Sequence, residues 1–310
     1  MGDGGKLTHI NNVRVVYFGM TGLLSRIPLA KLLEAGVNVC GIVLPASVLP
    51  PYLQPENGRF QTTIPQVNNI PLSPYPDVLQ LAAQHQIPVT AVTNLHHPDI
   101  LNFIAAQQPD LICVSCFNQK FLPALLQIPK YGCINLHPSL LPHLRGPSPL
   151  FWTFQQGIQH TGITLHFMDA GLDTGDIIYQ EALTLSDGIN GNEAEILLAT
   201  AGGDLMITAV SQLPNLTQTP QSGTASYFPT PTNDDFRLDL EWTAQHAFNF
   251  MRGTAEWQRP YFIEIEGRKI WLDTAVSFDE NGKQDTPTQL QAQTITIQFA
   301  RGTVTAVQTR

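Results

Sequence analysis

The chain has 310 residues, 43% hydrophobic and 13% charged, a balance that excludes a disordered or fibrous protein and predicts a filled globular core. A formal charge of −9 excludes any general pull toward phosphate backbones or anionic membranes, so nucleic-acid contact would need a local basic patch, and no basic run is present. Apolar stretches such as residues 42–49 fall well below the ~20 residues of a membrane helix, and four scattered cysteines, Cys40, Cys113, Cys116 and Cys133, do not make a disulfide framework, which fits a cytoplasmic protein.

Residues 1–12 lack an apolar signal core and are read as a disordered leader. Residues 13–18 predict a first strand, 24–34 a helix closed by Gly36, and 37–44 a second strand. The intervening turn, Gly19-Met20-Thr21-Gly22, lacks the third glycine and the following acidic residue of a dinucleotide fingerprint, which makes a nicotinamide enzyme the weaker reading. Residues 45–76 are rich in proline and amides with Arg59 as their only cation, and a stretch of that length is a candidate substrate lid.

A helix over 77–86, a strand over 88–92, a helix over 98–107 and a strand over 110–117 follow. Cys113 and Cys116 form a CxxC within that strand; residues three apart on a strand face opposite ways, so they are read as small buried residues and no metal site is expected. A strand over 131–137 is stopped by Pro138, a loop covers 139–146, and Ser148 with Pro149 opens a helix as N-cap and first residue. The strand 162–168 alternates Ile163, Leu165 and Phe167 with Thr164, His166 and Met168, and runs into an acidic loop, residues 169–176.

This alternation predicts an α/β, doubly wound, Rossmann-like and mostly parallel sheet over a catalytic domain of residues 13–213. Its last helix, 192–213, is expected to open on a capping box of Asn192 with Glu195 and to be weakened by Gly202 and Gly203. Residues 214–224 read as a linker, and 225–310 as a smaller β-rich domain with a helix over 240–252 and hairpins at Glu266-Gly267 and Arg301-Gly302.

Chemistry concentrates after the 131–137 strand. Its period of two places Asn135 and His137 on one face at the strand's carboxyl end, where open α/β sheets bind ligands. The loop 169–176 offers three carboxylates and two glycines, so backbone can approach a ligand while a carboxylate reaches the imidazole.

These segments, GCINLHPSLLPHLRG and TGITLHFMDAGLDTGDII, resemble the 10-formyltetrahydrofolate-dependent formyltransferase superfamily, methionyl-tRNA formyltransferases included. The resemblance covers residues 13–213 and continues more faintly into the second domain. It implies an enzyme that uses 10-formyltetrahydrofolate as cosubstrate, without metal, and that places Asn135, His137 and Asp173 at the reacting centre. It also implies folate contacts from Cys116, Phe117, Asn118, Met168, Asp169, Gly171 and Leu172, while Gly19, Met20, Thr21 and Ser139 are candidates for substrate binding. His143 and His166, lacking an Asn two residues before them, are read as core histidines.

The expected acceptor is a primary amine, with a small molecule such as an amino sugar or peptide amine favoured over tRNA. Residues 45–76 replace the family's basic loop, the lysine expected within residues 230–238 is absent, and the chain ends at Arg310, short of the family's usual tail. Losing phosphate-binding cations weakens a tRNA reading. Hydrolysis of 10-formyltetrahydrofolate by the same three residues stays open; a non-catalytic folate-binding module would predict loss of one of them, and all three are present.

Overall fold

The computed structural model describes residues 10–48 and 77–309. Most of the candidate lid, residues 49–76, and the first nine residues of the expected leader lie outside them; Ile10, in the rest of that leader, is buried. The chain then runs β1 (Arg14–Phe18), α1 (Leu23–Glu34), β2 (Asn38–Pro45), α2 (Val78–Gln84), β3 (Val89–Val92), α3 (Pro98–Ala106), β4 (Leu111–Ser115), the single turn α4 (Pro123–Leu126), β5 (Cys133–His137), α5 (Pro149–Gln155), β6 (His160–Phe167), β7 (Ile177–Thr184) and α6 (Gly191–Gln212).

The first sheet has the order β3-β2-β1-β4-β5-β6-β7, with β1 to β5 paired in parallel and β6 antiparallel to β5. All five residues of β4 are buried, as expected for a central parallel strand covered on both faces. The chain winds from β1 outward through β2 and β3, then returns to the other side of β1 as β4 and β5. Such a reversal leaves a crevice at the carboxyl ends of β1 and β4.

Side chains fix the rim of that crevice. Ser25 Oγ accepts from the Met20 amide (2.9 Å) and donates to the Ser115 carbonyl (2.6 Å), tying the turn after β1 to the end of β4. Beneath it, Phe18, Phe121, Ile112 and Val114 form a buried cluster, with Phe117 and Met168 packed against it.

Two local expectations are corrected at α6. The reciprocal cap is Asn190 with Glu193, not Asn192 with Glu195: the Glu193 amide donates to Asn190 Oδ1 (2.9 Å) and the Asn190 amide to Glu193 Oε2 (3.1 Å). The motif N-x-x-E occurs twice in overlap, and the earlier copy starts the helix. Gly202 is a close-packing residue, since a Cβ there would stand 2.4 Å from Leu136 Cδ2. Helix α6 has the length and apolar composition of a membrane span, but half of its apolar window is buried in the protein, as in a core helix.

Contacts divide the chain into two interleaved units. The first comprises Met1–Arg145, Gly162–Ala182 and Ile196–Tyr227; the second comprises Gly146–Thr161, Leu183–Glu195 and Phe228–Arg310. Residues 214–224, expected as a linker, therefore group with the first unit, where Thr219 bridges Ile177 by hydrogen bonds of 2.8 and 2.9 Å.

The second unit holds an antiparallel sheet of order β10-β11-β12-β9-β8, built from β8 (Tyr261–Ile265), β9 (Arg268–Asp279), β10 (Thr288–Gln291), β11 (Thr294–Gln298) and β12 (Thr303–Gln308). Both expected hairpins form; β10, with the sequence TQLQ, carries too little apolar alternation to be foreseen. Helix α7 (Ala244–Gly253) begins later than expected because Thr243 Oγ1 accepts from the His246 amide and caps it. Phe151 of α5 packs against Phe236, Phe250 and Trp257, and a cavity of about 390 Å³ lies among Phe154, Trp242, His246 and Asn249.

Gly202→Ala separates two opposing terms. Helix propensity alone favours alanine by about 1 kcal/mol, whereas overpacking against the buried Leu136 costs about 1–3 kcal/mol. A lower urea midpoint with an unchanged slope is expected; a raised midpoint would show that Leu136 repacks freely.

Candidate functional site

The site is built first by register. Asn135 stands directly opposite His166, and His137 opposite Thr164, across the antiparallel β5–β6 pair. Cross-strand partners share a face, so the Asn135 amide and the His166 ring meet. Leu136 points the other way, toward Gly202.

Tautomer logic then fixes the amide. His166 Nδ1 lies 2.8 Å from the Phe167 carbonyl, which only accepts, so Nδ1 carries the proton. Burial is the main cause that pushes the His166 pKa down, to about 4; Asp173 opposes the shift and His137 adds to it. The ring is therefore neutral at pH 7, and its bare Nε2 accepts from Asn135 Nδ2 at 3.2 Å. The same nitrogen is 3.5 Å from Asp173 Oδ1, so two acceptors orient the amide.

His137, 4% exposed, donates Nε2–H to the Leu144 carbonyl (2.9 Å), which turns Nδ1 toward Asp173 Oδ1 at 3.6 Å. Asp173 Oδ1 also lies 3.7 Å from His166 Nε2, and its side chain is only 8% exposed. Asn135, His137 and Asp173, separate in sequence, are thus brought together, and His166 joins them.

The loop that delivers Asp173 is held tightly. Asp173 adopts a left-handed φ of 55°, uncommon for a residue with a side chain. Asp169 accepts from the Gly171 amide (2.9 Å) and from Thr174 Oγ1 (2.6 Å). Gly175 passes so close to the preceding strand that a Cβ would stand 1.9 Å from the Phe167 carbonyl oxygen. Gln221 donates to the carbonyls of Asp173 (2.9 Å) and Gly175 (2.8 Å).

The other candidates fall around this centre and the crevice. Cys116 is left-handed (φ 56°) just past β4, and Asn118 is exposed. The strand ends at Ser115, so the opposite-face argument for the CxxC applies to Cys113 alone, whose thiol burial pushes up. Phe117 makes an edge contact with Phe18 at 5.2 Å, and Met168 packs on the same cluster. Leu172 is 47% exposed, and Asp169 and Gly171 lie exposed in the Asp173 loop. Gly19, Met20 and Thr21 form the turn after β1, with Gly19 buried. Ser139 is buried and donates Oγ–H to the His143 carbonyl, which shapes its own loop. Among the described residues, no group of three or more His, Cys, Asp or Glu is arranged to hold a metal ion.

Sequence reasoning missed His166, Gln221 and the Leu144 carbonyl. The alternation of Thr164, His166 and Met168 was visible, but only the antiparallel register places His166 against Asn135. Gln221 sits in a stretch without periodicity and gave no signal.

A family profile described as Formyl transferase matches residues 66–210. Methionyl-tRNA formyltransferase from Alkaliphilus oremlandii is 31% identical over 89% of this chain and 83% of its own length; that of Pelotomaculum thermopropionicum is 32% identical over 90% and 84%. Among solved structures, an N-formyltransferase from Helicobacter canadensis in complex with folinic acid and dTDP-3-aminofucose shares the fold at a TM-score of 0.65 and 15% identity, covering 96% of this chain and 99% of that one.

The depressed His166 pKa generates a stability test. The folded protein binds this proton more weakly than the unfolded chain, whose histidine titrates near ~6.5. The contribution is complete above that value and is lost as pH falls toward about 4, by up to about 1.4 kcal/mol per pH unit. His166→Leu should flatten the decline in urea-unfolding free energy between pH 7 and 5, while His246, also lowered by burial, acts equally in both proteins. Equal slopes in variant and wild type would assign the effect elsewhere.

Proposed function

The chain belongs to the formyltransferase superfamily and is methionyl-tRNA formyltransferase-like, and on that premise we propose that it moves a formyl group from 10-formyltetrahydrofolate to a primary amine through Asn135, His137 and Asp173. The observation that supports this reading is the approach of Asn135 Nδ2 (3.5 Å) and His137 Nδ1 (3.6 Å) to the same oxygen, Asp173 Oδ1. A reduced folate as donor is further supported by the folinic acid bound to the Helicobacter canadensis structure. Phe117 and Met168, half-buried on one apolar cluster, suit the flat face of a pterin.

In the reaction, the amine nitrogen bonds to the formyl carbon and the carbonyl oxygen becomes an oxyanion. Asn135 supplies an N–H to that oxygen, and its 3.5 Å approach to Asp173 is long enough to be exchanged for a ligand contact. His166 keeps the amide nitrogen turned inward. His137, with Nε2–H committed to Leu144, presents Nδ1 on the Asp173 side to take the proton lost by the amine. The oxyanion then collapses to the carbonyl, the carbon–nitrogen bond to the folate breaks, its nitrogen takes the proton that His137 had accepted, and tetrahydrofolate leaves.

A small amine is the acceptor that the charge distribution favours. The second unit carries 14 carboxylates against 8 lysines and arginines. Four of those eight cations also have partners: Arg301 pairs with Glu280, Lys269 lies 3.9 Å from Asp234, Arg252 donates to the Gly188 carbonyl and Arg259 to Asn233. The second reading is methionyl-tRNA, favoured by relatives about one third identical along most of the chain. A cytoplasmic setting accords with either.

The test is incubation with 10-formyltetrahydrofolate and a panel of amines, amino sugars and charged initiator tRNA included, while tetrahydrofolate release is followed. Release without added metal or nicotinamide is expected, with an amino sugar or peptide amine as the productive partner. No release with any amine would remove the reading.

Asn135→Ala should lower turnover by about 10²–10³ while folate affinity stays close to wild type, because the amide acts on charge that develops in the transition state. Normal turnover would deny Asn135 that role. Initiator tRNA should bind weakly near 0.15 M salt, with a shallow salt dependence. Tight, steeply salt-dependent binding accompanied by formylation would decide for the second reading.

A further inference from the structure

We propose that Gln221 is a positioning residue for this reaction: its side-chain amide sets the spacing of His137 and Asp173 by joining the two loops on which that spacing depends. The proposal rests on the reading of Asp173 as a reacting-centre residue.

Each hydrogen-bonding position of this amide is used. Nε2 donates to the carbonyls of Asp173 (2.9 Å) and Gly175 (2.8 Å), while Oε1 accepts from Arg145 Nε (3.2 Å) and Nη2 (2.6 Å). Arg145 directly follows Leu144, whose carbonyl holds His137 Nε2–H. One side of the amide therefore grips the loop that orients His137, and the other grips the loop that carries Asp173.

The two carbonyls it holds belong to the two conformationally restricted residues of the second loop. Asp173 has its left-handed φ of 55°, and Gly175 has no room for a Cβ. Without donors at those carbonyls, the loop loses the bonds that keep an uncommon backbone conformation in place. A displacement near 1 Å at a reacting group can cost on the order of 10²-fold in rate.

The segment that carries Gln221 is anchored independently of this side chain. Thr219 pairs with Ile177, the Arg145 amide donates to the Ser226 carbonyl (2.9 Å), the Ser226 amide to the Pro142 carbonyl (3.2 Å), and Ser226 Oγ accepts from the Leu144 amide (2.9 Å). These bonds survive substitution at residue 221, so the variants are expected to fold.

The experiment compares Gln221→Glu, which keeps an acceptor for Arg145 but loses both donors, and Gln221→Met, which keeps the length and loses all four bonds, with Asp173→Asn. Both Gln221 variants should lose about 10- to 100-fold in kcat, with KM for 10-formyltetrahydrofolate within about threefold of wild type and the pH dependence of kcat displaced. Folate binding followed by calorimetry and thermal melting should stay near wild type for Gln221→Glu. Wild-type kcat and pH profile in both Gln221 variants, with Asp173→Asn inactive, would overturn the role of Gln221 alone. A kcat loss that only tracks the folded fraction, on an unchanged pH profile, would also overturn it. An active Asp173→Asn would overturn the reading of the centre, and this role with it.

Discussion

The site depends on one buried carboxyl group. Asp173 Oδ1 lies 3.5 Å from Asn135 Nδ2, 3.6 Å from His137 Nδ1 and 3.7 Å from His166 Nε2, and the side chain is 8% exposed. A polar group so far removed from water must be matched by partners, and each partner's direction is constrained in return. The Phe167 carbonyl sets the His166 tautomer, the tautomer sets the Asn135 amide, and the Leu144 carbonyl sets which nitrogen of His137 faces inward.

The two halves of the arrangement have different mechanical character. Asn135, His137 and His166 project from paired strands, where register fixes their spacing and Leu136 is wedged against α6. Asp173 comes from a turn whose conformation is locally unfavourable and is maintained by outside contacts. The position of Asp173 therefore rests on how the turn is held, and that of the other three side chains on the sheet.

Much of this was legible in the sequence, for identifiable reasons. The strand CINLH has a period of two and a terminating proline, which is enough to place Asn135 and His137 side by side. The apolar runs of β1, β2 and β4, each bounded by turn residues, gave the parallel sheet. What was not legible depends on partners far apart in the chain. His166 reads as a core histidine until the antiparallel register is known, and Gln221 reads as linker until Thr219 is seen to pair with Ile177. At α6 the ambiguity was local, since two overlapping capping motifs both satisfy the rule and only the helix start distinguishes them.

The interleaving of the two units bears on how the chain is made. The first unit has all its residues once Tyr227 is synthesised, but the second needs segments from before and after that point. Phe151 packs against Phe236, Phe250 and Trp257, which lie 85, 99 and 106 positions later in the sequence. At about 5–20 residues per second, that aromatic surface waits roughly 5–20 s on the ribosome for its last partner. For that interval the nascent chain carries apolar aromatic surface without its later partners, the kind of transient exposure that favours aggregation during synthesis.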